Sequence, residues 1–290
     1  VMLVRKKSPP SAGQIFAMKV LKKSVIAAKG QVEHTKSERD ILFEIRHPFV
    51  VFLRFAFQSD EKLYLITDFY AGGSLFYHLR KSRCFSEVRA RFYASELLLA
   101  LGHLHSHQII YRDLKLENVL MDGQGHVALT DFGLSKQHVQ SSDAASTFCG
   151  TAEYEMQAGR TPFYDKNRKI MFFNIMNSTP QFPLSFSEKA CSVLRALLAV
   201  DPTKRLGLDL EELKGHKFFS SIDWKALLAK EVRPVYIPDV SNELDCKYVP
   251  KTYLRAEAKD SIVAANEKPD KLDFVEFTYA GESSVLNQGS

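Results

Sequence analysis

The chain has 290 residues, 45% of them hydrophobic, and a formal charge of +5. This length suits one large domain or two modest ones with a sizeable core. The mild charge, with no basic stripe interleaved with aromatics, argues against nucleic-acid binding.

Val1 to Val4 and Ile15 to Val20 predict two strands joined by a Pro/Gly turn over 8–13. A helix is predicted over Gln31 to Glu44, with Ile41 and Ile45 on one apolar face. Phe49 to Phe57 and Leu63 to Asp68 predict a second strand pair, turning at 59–62, and Gly72-Gly73 closes this sheet-rich part. Ser86 then reads as an N-cap, with Glu87 in the first turn of a helix reaching about His105. Val88, Phe92, Leu97, Leu98, Leu101 and Leu104 cover much of that helix and predict burial. Val127-Ala128-Leu129 predicts a buried strand after the turn Asp122-Gly123-Gln124-Gly125. Glu188 to Leu198 predicts a further helix, ending before Asp201-Pro202. From Phe219 the chain is polar and punctuated by proline, and an extended surface tail is expected.

The four cysteines, Cys84, Cys149, Cys191 and Cys246, are far apart without C-x-x-C spacing. They read as free thiols in a reducing compartment rather than a disulfide framework or a metal site. No apolar run is long enough to span a bilayer and no secretory signal is seen, so a cytoplasmic protein without a transmembrane segment is expected. The first residues already lie within a predicted strand, which suggests a start inside a domain.

The chemistry is concentrated in two motifs, Tyr111-Arg112-Asp113-Leu114-Lys115-Leu116-Glu117-Asn118 and Asp131-Phe132-Gly133. They supply a candidate base (Asp113), a cation (Lys115) and two oxygen ligands for magnesium (Asn118, Asp131). A loop, a hairpin and a second loop could bring all four to one mouth. Phosphoryl transfer needs such a set: metal and cation against phosphate oxygens, and a carboxylate to orient the attacking hydroxyl.

With these motifs the chain resembles the eukaryotic protein kinases, apart from Tyr111 where many carry His. Within them it resembles the AGC serine/threonine group, and in particular the branches of the cAMP-dependent kinase, Akt and SGK. The resemblance implies an α+β, bilobal fold with a small antiparallel-sheet lobe holding one key helix, a larger helical lobe and an extended C-terminal tail. Its implied divisions are 1–69, 70–219 and 220–290. It also implies ATP and Mg2+ as cofactors, an upstream activating kinase, and protein substrates phosphorylated on Ser or Thr. Phe16-Ala17-Met18-Lys19 resembles the strand that supplies the phosphate-binding lysine, and Glu38 its ion-pair partner. Leu63 to Gly73 resembles the strand-to-hinge segment, with Thr67 as gatekeeper and Asp68, Phe69 and Tyr70 along the hinge. Ala17, Glu117 and Leu120 complete the implied ATP site. Ser74 departs from a common glutamate, which leaves open whether substrates are basic, although Glu117 keeps one acidic contact.

Thr147-Phe148-Cys149-Gly150-Thr151 resembles the AGC activation loop, which implies phosphorylation at Thr147 with His34, Arg112 and Lys136 as cationic partners. Thr151 is implied to hydrogen-bond near Asp113 and Lys115. Phe274, Phe277 and Tyr279 resemble the AGC hydrophobic motif, implied to pack on the small lobe with a phosphate on Thr278. Two phenylalanines in a polar tail are too few for a core of their own and need a docking site.

Two family segments have no counterpart. A glycine-rich loop is expected just before Val1. Tyr154, expected to lead into Ala-Pro-Glu and a long buried helix, runs directly into Glu155-Met156-Gln157. Arg205 is thereby expected to lack its carboxylate partner, at a cost on the order of 3–5 kcal/mol if buried. Each core side chain uncovered forfeits roughly 1.5–3 kcal/mol, against a domain stability of about 5–15 kcal/mol. Little or no turnover is therefore expected, and a non-catalytic kinase-like binding module is the alternative. A small-molecule phosphotransferase shares the metal logic but leaves the activation-loop and tail motifs unexplained.

Overall fold

The structure, a computed structural model, describes residues 1–9, 12–137, 151–206, 210–255, 274 and 277–280. The small lobe opens with strands β1 (Met2–Arg5) and β2 (Ile15–Lys22), then the short helix α1 (Lys23–Ala28) and the longer α2 (Val32–Glu44). Strands β3 (Leu53–Gln58) and β4 (Lys62–Asp68) follow. β2 pairs antiparallel with β4 from Phe16↔Asp68 to Lys22↔Lys62, which sets Ala17 opposite Thr67 and Lys19 opposite Leu65. Packed against this sheet, α2 buries Ile41, Leu42 and Glu38.

β3 starts at Leu53 rather than at Phe49. The preceding residues are buried but bond elsewhere. Leu129 N–H donates to Phe49 O at 2.9 Å, and Val51 N–H donates to Leu129 O at 2.9 Å. An apolar run alone cannot separate a strand from a buried linker, and here the linker stitches the two lobes together.

The large lobe begins with β5 (Gly73–Ser74), α3 (Leu75–Ser82) and α4 (Glu87–Ser106). Ser74 caps α3 by accepting a bond from Tyr77 N–H at 3.3 Å, a local role for the residue that departs from the family pattern. Gly72 is needed where it stands, because a Cβ would sit 2.7 Å from Met121 O. α4 is buried along most of its length, with Ser86 as its cap. Val88 corrects the sequence reading: it is 58% exposed, since the first turn of α4 still faces solvent.

Strands β6 (Val119–Met121) and β7 (Val127–Leu129) form a hairpin that pairs with β5 in a 3-stranded sheet of order β5-β6-β7. Next come α5 (Thr151–Ala158), α6 (Arg168–Asn177), α7 (Glu188–Leu197) and α8 (Leu210–Gly215). α7 buries Ala190, Val193, Leu194 and Leu197, one face at helical spacing. α5 buries Tyr154 and Met156, and Phe85 N–H donates to Met156 O at 2.8 Å. By contrast α6 buries nothing, and Phe172, Phe173 and Met176 are each more than 60% exposed. Apolar surface is thus left uncovered beyond the Tyr154–Glu155 junction.

The last part is the expected extended tail, held down by anchors not anticipated from its sequence. Phe219, Leu227 and Tyr248 are buried, and two short helices appear, α9 (Trp224–Leu228) and α10 (Lys251–Leu254). β8 (Tyr279–Ala280) then adds to β3, completing a 5-stranded sheet of order β1-β2-β4-β3-β8. Polar, Pro-rich composition hid these anchors because a few buried aromatics suffice to hold such a segment down.

Candidate active site

The mouth between the lobes gathers the two motifs. β2 presents Lys19, whose Nζ lies 2.6 Å from Glu38 Oε1 on α2 and 3.1 Å from Asp131 Oδ1. Burial works against the Lys19 charge, but Glu38 and Asp131 together outweigh it and hold the ammonium above its ordinary lysine value. Burial pushes the Glu38 carboxyl up, countered in part by Lys19 and by a backbone bond from Phe132. Asp131 has a positive φ of 63° and a side chain 48% exposed to the mouth.

Asp113 takes two donors on one oxygen: Lys115 Nζ at 2.7 Å and Asn118 Nδ2 at 2.8 Å both reach Oδ2. Among the described residues no donor is bonded to its Oδ1, the atom that could face an incoming hydroxyl. Asn118 Nδ2 also donates to Asp113 O at 3.1 Å, so the amide oxygen is what Asn118 can offer a cation. The bond to Asp113 raises the Lys115 ammonium above its usual value. Tyr111 is fully buried and bonds through its hydroxyl to Thr130 O. Burial drives its phenol well above the ordinary tyrosine range, so it acts as a neutral brace between the motifs.

Asn118 and Asp131 suit magnesium, which takes one or two protein oxygens and shares the rest with phosphates and water. The strand pairing sets Ala17 beside Thr67 on the floor of the small lobe. Leu120 lies on β6, opposite Ser74 and Ala128. Asp68 is committed to Arg54, at 2.7 Å for Nε–Oδ1 and 3.1 Å for Nη2–Oδ2, and its N–H donates to Phe52 O at 3.3 Å. Tyr70 O accepts from Gly73 N–H at 3.1 Å. Glu117 is exposed on the turn before Asn118. Burial and then repulsion from Glu117 raise the Glu155 carboxyl.

His34, Arg112 and Lys136 are all exposed; Lys136 is held at its backbone by Ile110. Thr147 and the side chain of Thr151 lie outside the described residues. Phe274 and Phe277 are 2% and 1% exposed and meet edge to face at 6.0 Å. Lys23 and Lys36 lie over Phe274 at 5.6 and 5.9 Å, and Arg39 over Phe277 at 5.8 Å. Gln58 Nε2 donates to Phe274 O at 2.8 Å. Tyr279 packs against Phe43 at 4.7 Å and accepts from Arg46 at 3.3 Å. Thr278 is exposed between these anchors.

The protein kinase domain family matches residues 3–156. The chain belongs to the protein kinase family. The kinase is 41% identical to human serine/threonine-protein kinase Sgk1, over 97% of this chain and 73% of that one. The Bos taurus Sgk1 is 41% identical over 94% of this chain and 68% of its own length, and the Gallus gallus protein 40% over 97% and 72%. It is therefore an AGC-type serine/threonine kinase with a sheet-rich small lobe and a helical large lobe. Kinases of this family act on proteins, use ATP and Mg2+ and are typically regulated by phosphorylation. Among the described residues no helix is long and apolar enough to cross a membrane.

The human alignment runs over 317 positions, more than the 290 residues of this kinase. The kinase therefore lacks residues inside the aligned span, and the family match ends at Met156, two residues past the Tyr154–Glu155 junction. Arg205, whose partner was expected to be missing, is half-buried and donates through Nε to Ala199 O at 3.1 Å. No carboxylate pairs with it among the described residues. Its partial exposure makes the penalty smaller than that of a fully buried charge.

Sequence reasoning missed one polar feature beside the site, the pair Glu96–His126. Both are buried, with Glu96 Oε1 2.6 Å from His126 Nδ1. A visible signal existed: a lone carboxylate in the apolar stretch Tyr93 to Leu101.

Proposed function

We propose that this kinase transfers the γ-phosphate of Mg-ATP to serine or threonine hydroxyls of proteins through Asp113, Lys115, Asn118, Asp131, Lys19 and Glu38. The observation that carries this reading is the geometry of Asp113: Lys115 and Asn118 both bond to one oxygen, and among the described residues no donor is bonded to the other. Lys19, steadied by Glu38, holds the nucleotide phosphates. Asn118 and Asp131 take the magnesium, which when bound draws charge from the phosphate oxygens. Ala17, Thr67 and Leu120 would border the base of ATP, with the backbone from Asp68 to Tyr70 beside it. Lys115 steadies the phosphoryl group as it moves.

The carboxylates Glu117 and Glu155 favour substrates with a basic residue near the acceptor. Ser74 is spent on capping α3, and the repulsion between Glu117 and Glu155 supports a second acid here. In the same reading the divisions 1–69, 70–219 and 220–290 act as small lobe, large lobe and tail in a cytoplasmic enzyme. An upstream kinase phosphorylates Thr147, whose phosphate pairs with His34, Arg112 and Lys136, and Thr278 carries the second phosphate. Thr147→Ala is expected to lower activity sharply; full activity without phosphate on this loop would refute that role.

The second reading, a kinase-like module that binds partners, is favoured by one observation, the uncovered apolar face of α6. Substrate peptides with arginine or alanine before the acceptor serine separate the two. Mg-dependent incorporation into the basic peptide supports the enzyme. Binding of peptide or partner without incorporation supports the module.

A further inference from the structure

We propose that Glu96 is a positioning residue for the metal site: through His126 and the backbone of Val127 it sets the pose of the β6–β7 hairpin that separates Asn118 from Asp131. The inference rests on the function proposed above.

Glu96 is 0% exposed and His126 3% exposed. A carboxylate placed there carries a large desolvation cost, which an apolar pair of the same volume avoids. What the charge contributes must therefore come from what it touches. Among the described residues both hydrogen bonds of its carboxylate go to the hairpin: Oε1 lies 2.6 Å from His126 Nδ1, and Oε2 accepts Val127 N–H at 2.8 Å. Two rings fix the imidazole, Phe49 at 6.2 Å and Phe92 at 6.0 Å.

The other groups at this turn complete the clamp. Asp122 Oδ1 accepts from Gln124 N–H and His126 N–H, both at 2.9 Å. Lys230, from the loop after α9, reaches Asp122 Oδ2 at 3.2 Å. The closed end of the hairpin is thus gripped from within by α4 and from outside by that loop.

Its open end carries the chemistry. Asn118 precedes β6, Asp131 stands two residues past β7, and Thr130 N–H donates to Asn118 O at 3.0 Å across the gap. The strands between have only three residues each, too short to keep their pose unaided. On the far side Leu129 is tied to Phe49 and Val51, part of the link to the small lobe. Glu96 gives the hairpin a fixed point on the central helix of the large lobe. Without it the hairpin follows the small lobe, and the two metal ligands lose their common frame with Asp113. Groups that orient metal ligands from one shell out have effects of this kind.

The test reads metal binding directly. Mn2+ replaces Mg2+, and its affinity for the full chain with ADP is measured by electron paramagnetic resonance, beside kcat and the KM for ATP. In Glu96→Leu the Mn2+ affinity is expected to fall about tenfold and kcat to fall with it, while the KM for ATP changes by less than about twofold. Glu96→Gln can keep both hydrogen bonds and is expected to return Mn2+ affinity to within about threefold of the parent. Should Glu96→Leu fail to fold, Glu96→Asp decides: a carboxylate one methylene shorter cannot hold both contacts, and weaker Mn2+ binding at an unchanged melting temperature is expected. Parental Mn2+ affinity in a folded Glu96→Leu or Glu96→Asp chain overturns the positioning role. So does a Glu96→Gln chain no better than Glu96→Leu. If the parent chain itself binds no Mn2+ with ADP, the proposed function fails first and this inference falls with it.

Discussion

Lys19 Nζ lies 2.6 Å from Glu38 Oε1, and this contact joins strand β2 of the small lobe to helix α2. Glu38 is nearly fully buried whereas Lys19 remains partly open to the mouth. The pair is therefore asymmetric. Removing the lysine strands a buried carboxylate, while removing both leaves an apolar seam.

Lys19→Met is expected to destabilise the fold by on the order of 3 kcal/mol, the low end for a broken buried pair because Lys19 is partly solvated. Lys19→Met combined with Glu38→Leu is expected to recover most of that stability and none of the phosphate transfer. Urea unfolding of both variants, with a transfer assay beside it, checks the sign of the coupling. A double variant as unstable as the single one would show that the charge pair does not set the loss.

Asp131→Asn removes the carboxylate that faces both Lys19 and the mouth. Transfer is expected to fall by at least about a hundredfold, since metal stabilisation of phosphate charge is worth several kcal/mol. Its fold should hold, because Asp131 is half exposed. A melting temperature within a few degrees of the parent, with Mg2+ dependence displaced, is the expected pair of results.

Phe277→Ala empties a site only 1% exposed, bordered by Phe274 and Arg39. A loss of about 3 kcal/mol in docking of the tail is expected, within the range for a buried phenylalanine. The segment containing β8 should then leave β3, which hydrogen exchange reads as faster exchange at Phe55 to Phe57. Unchanged exchange there would mean that β8 holds without its aromatic anchors.

Acid is expected to weaken the fold through its histidines. His47 is lowered to about 4, first by burial and then by His103 and Lys230. Burial also lowers His78, His103, His105 and His216. A lowered histidine stays neutral when folded, while the unfolded chain takes up a proton below about pH 6.5, so stability falls as pH falls through that window. For His47 the window runs from 6.5 to about 4 and carries up to roughly 3 kcal/mol. Raised carboxyls such as Glu38 and Glu155 act in the opposite sense, so the clean measurement is a difference. His47→Gln should flatten the fall in urea midpoint between pH 7 and pH 5 relative to the parent.

The sequence was most legible where a motif is continuous and local. Asp113, Lys115 and Asn118 lie within six residues, and their roles are readable from that motif. The hairpin to Asp131 was likewise visible in its Gly-bearing turn. Phe49 to Val51 was not, because a buried linker and a strand share the same apolar signal, and only the bond to Leu129 tells them apart. α3 is hidden in the sequence although Ser74 caps it, because a serine in place of the family glutamate reads as a change at the substrate site rather than as a helix start. Glu96 and Tyr248 escaped for a common reason: their partners, His126 and the ring of His78, are remote in sequence.

The most direct test of the central claim is transfer of radiolabelled γ-phosphate to a basic serine peptide by the purified chain, beside Asp113→Asn. The account predicts weak Mg-dependent incorporation that is lost in the variant, far slower than that of an Sgk1 relative. No incorporation, or incorporation unchanged by Asp113→Asn, would contradict it.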